Sequence, residues 1–189
     1  MFKQTYISGL MHLSTEIDLL TNKQLHGRVI EDAVLNAQKY VWIGTANLKD
    51  MHVSRGRRYK PILDLFEGMA QRGVSFRIVH SDMPSKYFQK TLDRFSLLVS
   101  SAMELQICPR CHWKMVIVDG NFAYLGTANF TGAGLGVKGE NRRNLEIGIT
   151  SEEPQFINSL VKIFDSFWMG TYCRDCAFHK TCPDPIENE

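Results

Sequence analysis

The stretch HWKMVIVDGNFAYLGTAN, residues 112–129, decides how the rest of the chain reads. Two β-rich runs flank Asp119-Gly120-Asn121, a turn signal that marks a β-hairpin. A two-residue turn at Gly120-Asn121 sets His112 opposite Asn129 and Lys114 opposite Thr127. Facing residues in a ladder share a side of the sheet, as do residues two apart, so the four converge on one face. Moving the turn to Asp119-Gly120 keeps them together, whereas a three-residue loop separates them. An imidazole, an ammonium, a hydroxyl and a carboxamide suit a single phosphate group. Lys supplies charge, Asn and Thr supply neutral donors, and His attacks or moves a proton. Asp119 falls on the opposite face, where hydrogen bonding within the hairpin is its natural role.

Outward from the hairpin, residues 24–39 carry Leu25, Val29, Ala33, Leu35 and Ala37 at helical spacing. YVWIGTA (40–46) is β-rich, and MHVSRGRRYK (51–60) reads as a polar, basic loop. Pro61 opens a helix that Gly73 stops. Residues 74–80 alternate as a strand with Val74, Phe76, Ile78 and His80 on one face. A helical stretch at 84–99, strands at 103–108 and 144–150, and an amphipathic helix at 153–168 complete the pattern, which is that of layered α/β architecture. The tetrapeptide Gly-Thr-Ala-Asn occurs twice, at 44–47 and 126–129, each time closing an apolar run.

The chain has 189 residues and a net charge of only +2, so a polyanionic partner requires a local basic cluster. No apolar run approaches the ~18 residues of a membrane span. The N-terminus makes a poor signal peptide, which leaves a cytoplasmic protein as the default. Four of the five cysteines form C-x-x-C pairs, Cys108/Cys111 and Cys173/Cys176. Without a secretion signal such pairs suggest a metal or redox site more than a disulfide framework.

Written as a pattern, the opening stretch is His112-x-Lys114-x4-Asp119-x6-Gly126-Thr127-x-Asn129. This resembles the HKD signature of the phospholipase D superfamily. Six fixed positions match by chance at ~10⁻⁷ to 10⁻⁸ per start point at ordinary residue frequencies. The likeness extends over roughly residues 25–170 and implies a mixed, mostly parallel β-sheet flanked by helices on both faces. On that reading residues 1–170 form the catalytic domain, and residues 171–189 form a Cys-rich tail packed on it.

The resemblance implies a phosphodiesterase in which His112 attacks phosphorus to give a phosphohistidine. Lys114 and Asn129 hold the phosphoryl oxygens with help from Thr127, Asp119 counts with them as a catalytic residue of the motif beside its plainer structural reading, and no metal serves the chemistry. Glu146 is the carboxylate expected to accept the Nδ1 proton, leaving Nε2 free; the plainer reading is an exposed strand residue. Only one complete motif is present. By the same spacing the early Gly-Thr-Ala-Asn has Ile30 and Asp32 where histidine and lysine belong, and His26 is mis-spaced. That copy either lines the cleft or repeats by chance. The acid for the leaving group then comes from His112 of a second copy, which makes an isologous homodimer the expected unit.

Arg55, Arg57 and Arg58 in one segment and Arg142 and Arg143 in another are either a solvated basic surface or a track for a phosphate backbone. The glycine-rich TGAGLGVKGENRR (131–143) reads as a loop at the mouth of the site. His80 at a strand end is more a structural than a catalytic residue. In the tail, Cys173, Cys176 and Cys182 with Cys108 are the favoured ligands of a structural zinc, with His179 close behind them. An iron–sulfur cluster and no metal at all are the alternatives. Cys111 is left as a free thiol. The expected substrate is single-stranded DNA or RNA, with no membrane partner. A phosphatidyl or cardiolipin hydrolase is the enzyme alternative. A non-catalytic nucleic-acid-binding subunit of a defence or repair complex is the other.

Overall fold

The computed structural model describes residues 16–55, 58–136 and 138–187. Nine strands occur among them. Seven form one sheet: β1 (Asp18–Thr21), β2 (Tyr40–Thr45), β5 (Ser75–His80), β6 (Met103–Ile107), β7 (Lys114–Val118), β8 (Phe122–Gly126) and β9 (Ile147–Ser151). Their order across the sheet is β1-β9-β8-β7-β2-β5-β6. β3 (His52–Arg55) and β4 (Arg58–Pro61) form a separate antiparallel pair where the sequence reads as a loop. That segment is too polar to show strand alternation, yet Met51 and Val53 are fully buried and fix it to the body.

The mixed sheet and its α/β setting agree with the expectation. Five of the seven strands run in one direction, but only the β2–β5 and β5–β6 pairings are parallel. The other four pairings are antiparallel, because β7 and β9 are interleaved against their neighbours. Helix α1 spans residues 23–36, opening as an α-turn at Lys23–Leu25, widening to π geometry over His26–Ala33 and tightening to 3₁₀ at Val34–Asn36. It packs on one face of the sheet with α2 (Ile62–Ala70) and α3 (Lys86–Leu92). There Val29, Ile30, Phe66 and Phe88 meet Val41, Ile43, Phe76 and Val116. On the other face α4 (Pro154–Trp168) buries Ile157, Leu160 and Phe164 against Val79, Met115, Ile117 and Ala123. The alternation of side chains along each strand splits the two cores, so β7 sends Val116 and Val118 one way and Met115 and Ile117 the other.

The helix that Pro61 opens and Gly73 stops in the sequence runs over Ile62–Ala70, and Gly73 adopts φ +92° just past its end. The stretch 84–99 forms only α3, followed by a π turn at Leu98–Ala102. The chain from β6 to β7 does not join neighbours: β5 and β2 lie between them, so residues 108–113 pass across the ends of both strands.

Candidate active site

The hairpin differs from the expected one in a single residue. Met115 pairs with Leu125 and Val118 with Phe122, so the loop is the three residues Asp119-Gly120-Asn121. Asp119 and Gly120 take φ values of +53° and +70°, a left-handed pair that Asp tolerates and Gly accepts freely. The register sets Lys114 across from Gly126, not Thr127. Strand parity therefore does not gather the four motif residues. His112, Lys114 and Asn129 come into one line because pairing with β7 ends there and the chain after Gly126 turns toward β2, while Thr127 turns to Glu146.

What draws it there is the first Gly-Thr-Ala-Asn. Asn129 Oδ1 accepts from the backbone N–H of Ala46 at 3.1 Å and of Asn47 at 3.2 Å, and from the Thr45 hydroxyl at 3.3 Å. Phe130 N–H donates back to Thr45 Oγ1 at 2.9 Å. The two copies of the tetrapeptide interlock, and the early one forms part of the site's floor. Its repetition in the sequence was the signal for this, and Thr45 is a site residue the motif spacing alone misses. Thr45 lies directly across from Lys114 on one side and His80 on the other. Lys114 Nζ stands 3.1 Å from Nδ1 and 3.2 Å from Nε2 of His112 and donates to the His112 carbonyl at 3.0 Å. One line of contacts thus runs His112, Lys114, Thr45, Asn129 along the carboxyl ends of the parallel strands, where open α/β sheets place their sites. His112 itself is exposed. With its Oδ1 so engaged, Asn129 keeps its Nδ2 without a protein partner among the described residues.

Glu146, expected on His112, is held elsewhere. Its Oε2 accepts from the Thr127 hydroxyl and its Oε1 from Asn144 Nδ2 at 3.0 Å. Its backbone N–H donates to Asn22 Oδ1 at 2.9 Å, which ties β9 to the turn after β1. Asp119 sits at the other end of β7. Its carboxylate accepts from the backbone N–H groups of Gln38 at 2.7 Å, Lys39 at 2.8 Å and Tyr40 at 2.8 Å, which starts β2 in register. That is the supporting role its place on the hairpin suggests, at the opposite end of β7 from Lys114 and His112.

The glycine of the motif is fixed by crowding. A Cβ on Gly126 would stand 2.7 Å from both Gly148 Cα and Ile147 O of β9. The Gly126→Ala chain is therefore expected to lose about 1–3 kcal/mol of stability, the usual cost of overpacking. A thermal melt unchanged from the native one would show that β9 yields.

His80 and His26 are structural. His80 is fully buried with Nδ1 2.6 Å from the Asp82 carbonyl, and burial lowers its pKa. His26 is buried with Nδ1 2.6 Å from the Leu135 carbonyl and tethers the glycine-rich loop to α1. Cys111, next to His112, is buried and its pKa is pushed up to about 11 by desolvation, so its thiol is a poor nucleophile.

Of the basic residues, Arg58 and Arg142 are exposed, and Arg57 lies outside the described residues. Arg55 ends β3. Arg143 is partly spent on its own loop, donating to the carbonyls of Lys138 at 3.1 Å and Gly136 at 3.2 Å. With Lys23, Tyr59 and Lys138 it lines a groove of about 460 Å³ that also holds Glu31. Lys23 carried no signal in the sequence, because only the fold brings it beside the loop. Cys108, Cys173, Cys176, Cys182 and His179 border a different cavity, on the α4 side of the sheet. Among the described residues no helix is long and apolar enough to cross a membrane.

The profile of the family described as "Cardiolipin synthase, PLD-like domain" matches residues 30–168. Among solved structures, Nuc, a phospholipase D family member from Salmonella typhimurium, is 17% identical with a TM-score of 0.56. That match covers 82% of this chain and 95% of the other. NucT from Helicobacter pylori is 12% identical with a TM-score of 0.57, covering 92% of this chain and 100% of the other. Phosphatidylserine synthase from Haemophilus influenzae Rd KW20 is 17% identical with a TM-score of 0.54, covering 79% of this chain and 37% of the other. No curated protein matches the chain. At these identities the likeness to the solved structures is one of fold.

Proposed function

The chain belongs to the phospholipase D-like family whose profile spans residues 30–168, and from that premise we propose that it is a phosphodiesterase acting on single-stranded DNA or RNA, its working site built from two copies. The observation that carries this reading is the contact line from His112 through Lys114 and Thr45 to Asn129. His112 Nε2 attacks phosphorus, the bond to the leaving oxygen breaks, and that oxygen takes a proton from His112 of the second copy. A water then gives its proton back to that imidazole and attacks phosphorus, and the P–N bond breaks. Lys114 and the Asn129 amide donate to the phosphoryl oxygens as charge builds on them. Glu146 serves by positioning Thr127. A lone motif with an exposed histidine leaves the acid's side of the reaction to a two-fold mate.

Nucleic acid is favoured as substrate by the groove where Lys23, Lys138 and Arg143 lie beside the exposed ring of Tyr59, cations with a stacking surface. The family's description gives phosphatidyl chemistry its standing as the second reading.

The test uses the purified full chain with labelled single-stranded DNA, RNA and cardiolipin vesicles, with EDTA added at assay. Cleavage of a nucleic acid that resists EDTA is the expected result. Turnover of cardiolipin alone would move the assignment to lipid. Tight nucleic-acid binding with no turnover of any substrate would make the chain a binding subunit.

A further inference from the structure

The tail beyond α4 is folded with a regular step of three residues. Cys173 N–H bonds to Gly170 O at 2.9 Å, Cys176 to Cys173 at 3.1 Å, His179 to Cys176 at 3.0 Å and Cys182 to His179 at 3.4 Å. Each bond closes one turn, the last of them at a 3₁₀ segment over His179–Thr181. Cys173, Cys176, His179 and Cys182 thus recur at the turn ends, at every third position. They are also the half-buried residues of this segment, while all the positions between them are exposed. The stripe turned toward the body holds three thiols and an imidazole and no aliphatic side chain. The tail's aromatic residues are half exposed, Tyr172 at 52% and Phe178 at 51%, although both border the same space and Tyr172 meets the Phe167 ring at 6.1 Å. Burial of apolar surface is therefore a minor part of what holds this ribbon down.

What faces the stripe is Cys108, just past β6. All four cysteines and His179 border one cavity of about 210 Å³. None of the thiols is in a disulfide. Two polar contacts also keep the ribbon within reach: Asp184 Oδ2 accepts from the Ile107 N–H at 3.1 Å, and Arg110 Nη1 donates to Cys176 Sγ at 3.5 Å. By strand alternation Cys108 belongs with Trp113 and Met115 on the α4 side, opposite Lys114, so the cavity is separate from the catalytic residues.

We propose that this cavity binds one zinc ion through Cys108, Cys173, Cys176 and Cys182, with His179 bordering the same space. Four thiolates are the donor set of closed, structural zinc sites, and softness favours zinc over harder divalent ions. Among the described residues no three such side chains already stand around a common point. Binding therefore has to draw the stripe onto Cys108, and metal uptake and docking of the tail are one event. Loop closure adds weight to Cys108, because a ligand 65 positions before Cys173 pins the tail to the body and not merely to itself.

The test reads metal, not hydrolysis, so its outcome is independent of the proposed activity. The full chain, purified without chelator, is analysed for metal, then stripped, reduced and titrated with cobalt(II). About one zinc per chain is expected, with cobalt giving a thiolate charge-transfer band that zinc erases. Cys108→Ser and Cys176→Ser should each weaken cobalt binding by more than the ~10–100-fold that loss of an outer partner costs. Cys111→Ser, which does not border the cavity, should change nothing. Absence of the charge-transfer band in the native chain overturns the proposal without relying on any variant's fold. So does a Cys173–Cys176 disulfide in freshly purified protein, iron with inorganic sulfide in place of zinc, or cobalt binding that survives Cys108→Ser intact.

Discussion

The His112→Ala chain is expected to lose at least ~10⁴-fold in hydrolytic rate, because the proposed mechanism uses this imidazole twice, as nucleophile in one copy and as acid for the other. Its melting temperature should stay where it was. His112 is exposed, belongs to no strand, and its side-chain hydrogen-bonding contact is with Lys114. Surface changes of that kind are usually within about 0.5 kcal/mol. The pairing of effects is what discriminates: activity gone, fold intact. Native enzyme quenched during turnover should carry acid-labile phosphate on this histidine, and the variant none. EDTA-sensitive hydrolysis that survives the substitution would end the phosphohistidine mechanism.

Asp119→Ala should do the reverse. Three backbone N–H groups, of Gln38, Lys39 and Tyr40, lose a charged acceptor at once. Hydrogen bonds to charged groups contribute about 1.5–3 kcal/mol each, and water replaces part of the loss at this half-exposed loop, so about 3 kcal/mol is expected overall. For a chain of this size that is roughly 6–12 °C in Tm. Asp119→Asn, which keeps one acceptor oxygen, should recover part of it. Activity per folded molecule should be unchanged, since the loop lies at the opposite end of β7 from Lys114. A drop in that activity with no change in Tm would return Asp119 to the catalytic list.

These two residues mark what the sequence makes legible and what it does not. The strand-helix alternation, the two-faced sheet and the spacing from His112 to Asn129 are local patterns, and all three survive in the fold. Hairpin loop length is not local in that sense. Asp-Gly-Asn serves a loop of two residues or three, and what selects three is a carboxylate bonded to backbone eighty residues away. The β3–β4 pair hid because its side chains are polar while its anchors, Met51 and Val53, are isolated. Glu146 was singled out for His112 by its place after the motif, whereas its carboxylate is bonded to Thr127 and Asn144, which are nearer in sequence. The repeated tetrapeptide could be seen but not interpreted, since nothing in either copy says that one will grip the other.

The crossing from β6 to β7 sets a limit on how this chain can be lengthened or trimmed. Three inter-strand gaps must be traversed, ~14 Å at the spacing of neighbouring strands. The seven peptide steps from Ile107 to Lys114 reach ~25 Å when fully stretched, and the turn closed by Cys111 N–H on the Cys108 carbonyl already takes up part of that. His112 rides near the end of a strap that can spare only a few residues. Deleting more than those would pull β6 or His112 out of place, and inserting residues would let the imidazole wander from Lys114.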